Sequence, residues 1–164
     1  MAGAMTTADR AAGFELLAKA RETAVRGRFY LLALPIVDTE IAKEKAGSGD
    51  LDGAIAMSQA VLDDEFEAGE MIYRGSSASV LVESLLQRDA IGDLEHAQAV
   101  IDRLAAAPTD PGFVLNEIPL LRLRALVAQH RGDRVSYGQW VDRYRAKATS
   151  CGFAGHMAIA DQMT

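Results

Sequence analysis

The three histidines and the single cysteine are the side chains best suited to act as a nucleophile, a general base or a zinc ligand. They are His96, His130, His156 and Cys151. None of the histidines has a Cys, His or Glu partner at the spacing of a metal site, and Cys151 has no neighbouring base that would activate it. We therefore expect surface or helix-capping roles for the histidines and a buried or incidental thiol. The sequence indicates no catalytic residue, no metal and no cofactor.

A run of carboxylates lies between residues 63 and 70. It comprises Asp63, Asp64, Glu65, Glu67 and Glu70. The run lacks the glycine and the alternating ligands of a calcium loop, so we interpret it as a solvated helix end. Acids near a helix C-terminus are mildly unfavourable for the helix dipole, which leaves an electrostatic contact as the alternative.

Basic residues concentrate in the stretch 119–147. The stretch contains seven cations and only two carboxylates. The cations are Arg122, Arg124, Arg131, Arg134, Arg143, Arg145 and Lys147, and the carboxylates are Asp133 and Asp142. The stretch could form a positive strip for an acidic partner or a phosphate-bearing ligand. The preferred alternative is an outer face whose cations pair with acids elsewhere in the chain. The nearby aromatic residues Tyr137, Trp140 and Tyr144 are interpreted as one core stripe and not as a base-stacking platform.

Composition limits the class of protein. The 164 residues are 49% hydrophobic and 24% charged, with a formal net charge of −6, which suits one soluble domain and argues against general nucleic-acid binding. A single cysteine fits a reducing, cytoplasmic setting. We find no signal peptide, no apolar run approaching the roughly 20 residues of a membrane helix, and no phosphate-binding loop. Residues 1–7 are predicted to be a disordered or added start, and 8–164 one domain.

A Gly-Asp joint occurs three times and sets where one helix ends and the next begins. It occurs at Gly49-Asp50, Gly92-Asp93 and Gly132-Asp133, at intervals of 43 and 40 residues. Glycine can end a helix in the left-handed conformation, and the following Asp can accept hydrogen bonds from the first N–H groups of the next helix. Each interval holds two helices, so the spacing predicts helical hairpins that bury their faces by stacking.

The apolar periodicity predicts about eight helices. They span 8–25, 28–46, 50–66, 76–89, 93–106, 116–130, 134–150 and 153–163. Pro35 either kinks the second helix or lies just after the start of its regular part. Pro119 is expected in the first turn of the sixth helix, where proline is tolerated.

The joints resemble those of tetratricopeptide repeats. The motif Gly-Asp, Leu, acid, then Ala is present in Gly49-Asp50-Leu51-Asp52-Gly53-Ala54-Ile55 and again in Gly92-Asp93-Leu94-Glu95-His96-Ala97. The third copy keeps Gly132-Asp133 but has Tyr137 at the Ala position, and the spacing exceeds the roughly 34 residues of the standard repeat. The resemblance implies an all-α fold: antiparallel hairpins stacked as a short, tetratricopeptide-like right-handed superhelix.

The C-terminal third resembles the end of large actinobacterial regulators. The similarity rests on segments 120–126, 131–133, 142–146 and 148–157, the last reading Ala-Thr-Ser-Cys-Gly-Phe-Ala-Gly-His-Met. Those regulators join a class III nucleotide cyclase-like or DNA-binding module to an ATPase module and a helical-repeat tail. The resemblance implies that this chain corresponds to the tail, without the enzyme modules.

These observations lead to a functional hypothesis. Stacked hairpins leave a groove lined by the first helix of each pair, which suits a peptide or helix of a partner protein or of a linked domain. The expected groove residues are Glu83, Gln87, Arg88, Arg122, Arg124 and Gln129. Charge reversal at Arg122 and Arg124 is expected to weaken partner binding without lowering the melting temperature. A small-molecule sensor and a homo-oligomerisation scaffold, with a homodimer among its assemblies, are the alternatives; direct nucleic-acid or membrane binding is not expected.

Overall fold

The fold consists of helices throughout the part of the chain that can be described. The structure is a computed structural model that describes residues 7–27, 34–110 and 113–163, and within these ranges there are eight helices and no strand. They are α1 (Thr7–Gly27), α2 (Leu34–Gly47), α3 (Leu51–Glu67), α4 (Arg74–Arg88), α5 (Asp93–Ala106), α6 (Val114–His130), α7 (Arg134–Cys151) and α8 (Ala154–Gln162). The predicted all-α class is confirmed.

Two of the Gly-Asp joints have the predicted geometry. Gly49 and Gly132 have φ angles of 92° and 73°, a left-handed conformation that a Cβ would disfavour. The Asp50 carboxylate accepts a hydrogen bond from the Gly53 N–H at 2.9 Å, and Asp133 accepts from the Ser136 N–H at 3.0 Å. Each Asp therefore caps the helix that follows it.

The middle joint differs from the prediction. Gly92 is left-handed, with φ 91°, but the side chain of Asp93 does not cap α5. It accepts from the Ala90 N–H at 2.9 Å and from Arg88 at 2.6 and 2.9 Å. Asp93 therefore holds the end of α4 instead of the start of α5.

The helices pack as stacked antiparallel hairpins. The pairs α2–α3, α4–α5 and α6–α7 each fold back on themselves, and α3 and α5 also contact the first helix of the next pair. The first helices adjoin as well, because α4 contacts both α2 and α6. The largest apolar cluster lies in the centre of the stack and includes Leu62, Leu81, Leu85, Ile101 and Leu123. This arrangement gives the molecule two surfaces, one formed by first helices and one involving second helices.

Some helix boundaries differ from the predicted ones. Helix α4 begins at Arg74 instead of Ser76 or Ser77, and α6 begins at Val114 instead of Asn116. Pro119 consequently lies in the second turn of α6 and not in its first. Pro35 lies in the first turn of α2, while residues 28–33 of the predicted second helix and residues 1–6 of the predicted start are outside the described ranges.

Candidate functional site

The first helices of the hairpins form a groove. Helices α2, α4 and α6, together with α8, surround a space of about 470 Å³. We call it the inner groove. Its apolar lining consists of Ala46, Ile72, Val80, Val114, Leu115, Ile118, Pro119, Phe153 and Ile159.

Two large apolar side chains of the inner groove are open to solvent. Ile72, just before α4, is 53% exposed, and Leu115 in the first turn of α6 is 42% exposed. Deeper in the groove, Ile118 is buried. An exposed apolar rim above an apolar floor gives a ligand surface area to remove from water.

An ion pair crosses the inner groove. Arg122 on α6 donates to both carboxylate oxygens of Glu83 on α4, at 2.5 and 3.1 Å. Burial opposes the positive charge, but the hydrogen bonds to Glu83 prevail and raise the pKa of Arg122 above its ordinary value. The pair therefore stays charged and joins α4 to α6 in two-point geometry.

A histidine of α8 lines the groove and is held by a buried tyrosine of α7. The Tyr144 hydroxyl lies 2.7 Å from Nδ1 of His156, and the two rings meet edge to face with centroids 5.8 Å apart. Burial, and then the charge of Arg122, lowers the pKa of His156. The imidazole is therefore neutral at pH 7, and it anchors α8 against α7 as well as lining the groove.

The inner groove brings together three of the six predicted site residues, and an adjoining hollow adds a fourth, Gln129. Glu83, Gln87 and Arg122 line it, and the same three side chains also line an adjoining hollow that reaches Gln129 and His130. His130 does not bind the last carbonyls of its helix; its Nε2 lies 2.9 Å from Asp89 at the end of α4. The groove thus continues along the α4–α6 seam.

Arg88 lies outside the groove and has a structural role. Its guanidinium binds Asp93 with two hydrogen bonds and Asp52 at the start of α3 with a third, at 2.6 Å. These hydrogen bonds raise the pKa of Arg88. The hydrogen bond that Asp93 accepts from Arg88 lowers the pKa of Asp93. Arg88 therefore links the end of α4 to the starts of two second helices.

Arg124 also lies away from the inner groove. Two residues after Arg122 on the same helix, it projects about 200° around the helix axis. Its guanidinium carbon lies 4.9 Å from the centroid of the Trp140 ring on α7. The expected core stripe of α7 is correct for Val141, Tyr144 and Ala148, which are buried, but Trp140 is only partly buried.

Three of the seven cations of the 119–147 stretch, Arg122, Arg145 and Lys147, pair with acids as the preferred alternative expects. Lys147 lies 2.6 Å from Glu117, and Arg145 lies 3.3 Å from Asp161. With Arg122 bound to Glu83, charge reversal at Arg122 would place two carboxylates together. The structure therefore opposes the expectation that reversing Arg122 and Arg124 leaves the melting temperature unchanged.

Sequence reasoning missed a buried carboxyl group next to the groove. Glu65 on α3 is 1% exposed. Its Oε1 accepts from the Ser77 hydroxyl at 2.9 Å, and Ser77 lies 3.0 Å from the hydroxyl of Thr39, which lines the groove. The interpretation of 63–70 as solvated is wrong for Glu65. Its spacing from Leu62 and Val61, three and four residues earlier, was the available signal, because it places Glu65 on their buried face.

Burial sets the charge state of Glu65. It raises the pKa of this carboxyl group to about 7, with repulsion from Glu70 adding to the effect and the Ser77 hydrogen bond and the charge of Arg74 opposing it. The Arg74 guanidinium donates to the backbone carbonyl of Glu65 at 3.2 Å and lies over the Phe66 ring. The Glu65 carboxyl group lies among α2, α3 and α4, so its charge state affects the packing of these three helices.

The structure also bears on metal and membrane sites. Across 7–27, 34–110 and 113–163, no three His, Cys, Asp or Glu side chains converge in a way that could hold a metal ion. None of the helices in these ranges combines the length and the apolar character needed to cross a bilayer.

Comparison with known proteins yields no relative. No protein-family model matches the chain, and no curated protein and no solved structure matches it either.

Proposed function

We propose that this chain is a non-catalytic protein-interaction module whose inner groove binds an amphipathic segment of a partner protein. The observation that supports the proposal is the exposed apolar rim of the groove. Ile72 and Leu115 are exposed at the rim, and the groove lining below them includes the buried Ile118. An amphipathic helix buries its apolar stripe in a groove of this kind.

The polar groups of the groove suit the edges of such a segment. The Glu83–Arg122 pair presents both charges within the groove, and Gln87 and Gln129 offer amide donors and acceptors along the same seam. Polar groups at the rim of an interface fix register, while buried apolar anchors supply most of the affinity.

The setting of the module follows from the resemblances in the sequence. We propose that it serves in the cytoplasm as the tetratricopeptide-like tail of a larger signalling regulator of the cyclase or ATPase type. In that arrangement the groove would receive a segment of a linked domain or of a separate regulatory protein.

The test is a peptide selection against the intact chain. A phage-displayed library of random peptides is panned on wild-type protein, and enriched peptides are titrated by calorimetry against Ile72→Glu and Leu115→Glu. Burying an isoleucine or leucine side chain contributes about 1.5–3 kcal/mol, so each substitution should weaken binding by roughly 10- to 100-fold.

Matched controls are provided by apolar residues that are exposed elsewhere. Ile91 is fully exposed in the joint between α4 and α5, and Val135 is 72% exposed at the start of α7. Ile91→Glu and Val135→Glu should bind like wild type. Failure to enrich any peptide, or equal affinity for groove and control variants, contradicts the proposal.

A small-molecule sensor is the second candidate, and one observation favours it. The Ser84 hydroxyl and Nε of Arg122 are buried at the groove and have no hydrogen-bond partner among the described residues. An unsatisfied buried donor costs about 1–3 kcal/mol, which a ligand acceptor would offset. A metabolite that raises the melting temperature of wild type but not of Ser84→Ala, in a protein that enriches no peptide, would replace the first proposal with this one.

A further inference from the structure

A second surface lies on the side of α6 that faces away from the inner groove. Helices α6 and α7 enclose an open cleft of about 530 Å³, which we call the outer cleft. Its apolar wall includes Leu120, Leu121 and the ring of Trp140. Its charged lining consists of Arg124, Arg143, Lys147 and Glu117, of which the last two pair with each other. None of these side chains lines the inner groove.

Two guanidinium groups share the single tryptophan. The guanidinium carbons of Arg124 and Arg143 each lie 4.9 Å from the centroid of the Trp140 ring. This is cation–π distance, at which the ring attracts a positive charge. Since both carbons are equally close to one centroid, the two charges lie within about 10 Å of each other, one Debye length at 0.1 M salt.

These two cations differ from three other cations on the same helices. Arg122, Arg145 and Lys147 each have a carboxylate partner. For Arg124 and Arg143, by contrast, no carboxylate oxygen within the described ranges lies within 4 Å. The outer cleft therefore carries a local positive excess on a chain whose formal net charge is −6.

We propose that the outer cleft binds an acidic segment of a partner protein. Side-chain carboxylates of the segment would pair with Arg124 and Arg143, which relieves the repulsion between the two cations. An apolar side chain of the segment would lie against Leu121 and the Trp140 ring. Two such cations are fewer than the roughly 6–10 phosphate contacts typical of nucleic-acid binders, and charge complementarity favours carboxylates.

The cleft contains its own reporter. Trp140 is the only tryptophan of the chain, so its emission follows binding without a label. The probe is a synthetic peptide of about twelve glutamate and leucine residues, titrated into wild-type protein at low salt, with the matched peptide that carries glutamine in place of glutamate as control. We expect a saturable emission change for the acidic peptide alone, with affinity falling several-fold between 50 and 200 mM salt as the charges are screened.

Substitutions locate the binding. Arg124→Gln and Arg143→Gln should each weaken the acidic peptide by about tenfold, whereas Arg134→Gln, at an exposed position on α7 outside the cleft, should leave its affinity unchanged. Calorimetric titration is the second readout, since loss of either guanidinium also alters the emission of free Trp140. Circular dichroism melts verify that the variants are folded.

Several outcomes would overturn the proposal. Equal binding of the acidic and glutamine peptides would show that charge does not select the ligand. Wild-type affinity in both arginine variants would place binding elsewhere. Binding of an oligothymidine or of phosphatidylserine vesicles at the cleft, without binding of the peptide, would assign it to another class of partner. The proposal does not depend on the inner groove, because Ile72→Glu should leave the peptide titration unchanged.

Discussion

Gly75 on α4 lies directly against the backbone of Leu115 on α6. A Cβ at Gly75 would lie 2.6 Å from the Leu115 carbonyl oxygen and 2.9 Å from Cγ of Pro119. This carbonyl is the one that Pro119, four residues later, cannot satisfy, because proline has no backbone N–H. The missing helix hydrogen bond and the missing side chain therefore occur at the same contact between α4 and α6.

We expect Gly75→Ala to destabilise the fold. The added methyl group meets backbone and a proline ring, neither of which can rotate away, so the helices must separate at a cost of about 1–3 kcal/mol. Urea denaturation measures the change. Gly138→Ala on α7 is the matched control, because no heavy atom outside its local helix backbone lies within 4 Å of its added Cβ, and it should stabilise the protein by up to about 1 kcal/mol. Equal effects of the two substitutions would contradict the close-contact explanation.

The fold could be predicted from the joints because their causes are local. Gly49 and Gly132 adopt left-handed φ angles, and Asp50 and Asp133 cap the next helix within three residues. The start of α6 was predicted incorrectly for a non-local reason. A proline in the second turn looks unfavourable in isolation, and only its contact with Gly75, more than forty residues away, shows how the position is tolerated.

The candidate site was harder to predict because helix faces decide it. The sequence around Arg122 is similar to that around Arg124. Nevertheless Arg122 binds Glu83 across the inner groove, whereas Arg124 contacts Trp140. Arg88 looked available to a partner and is instead engaged by Asp52 and Asp93. Whether a cation is paired depends on which carboxylates of other helices lie close to it. The sequence does not give those distances.

The stability of the protein should depend on pH through Glu65. The folded state raises the pKa of this carboxyl group to about 7, whereas the unfolded chain has the ordinary value near 4.5. The folded state therefore binds the proton more tightly than the unfolded chain does. The contribution of Glu65 to stability is greatest below about pH 4.5 and falls as the pH rises to about 7. We expect a loss on the order of 2–3 kcal/mol across this window, measured as the free energy of unfolding at a series of pH values.

Glu65→Gln removes the titrating group and should abolish the fall in stability between pH 5 and pH 7.5. The lowered pKa of His156 leaves a slope of the opposite sign below about pH 6.5, because the folded state disfavours the imidazolium. Glu65→Gln should also stabilise the protein at pH 8, since a neutral amide replaces a buried charge. Glu67→Gln, at an exposed position two residues later, is the control and should leave the slope unchanged. The Asp groups with lowered pKa, such as Asp50 and Asp133, act below about pH 4 and do not disturb the window. An identical slope in Glu65→Gln would refute this assignment.

The Glu83–Arg122 pair should couple measurably in a double-mutant cycle. Glu83→Gln, Arg122→Gln and the double variant are compared by denaturation in urea. Because the Glu83 side chain is 43% exposed, solvent screening limits the coupling to about 0.5–1 kcal/mol despite the two-point geometry. Arg122→Glu should destabilise more than Arg122→Gln, because it adds repulsion from Glu83. Additive effects of the two single variants would mean that the pair does not join α4 to α6.

Helix α6 is shared by the two surfaces of this molecule. Arg122 and Arg124 project from opposite sides of one rigid rod, so a rotation of α6 about its axis that opens the inner groove also displaces the guanidinium on the Trp140 ring. A ligand that favours one orientation of α6 from the groove thereby changes the affinity of the outer cleft, and reciprocity requires the reverse effect to be equal in free energy. If both proposed ligands bind, α6 is the element through which their binding free energies would be coupled, because Arg122 and Arg124 lie only two residues apart on it.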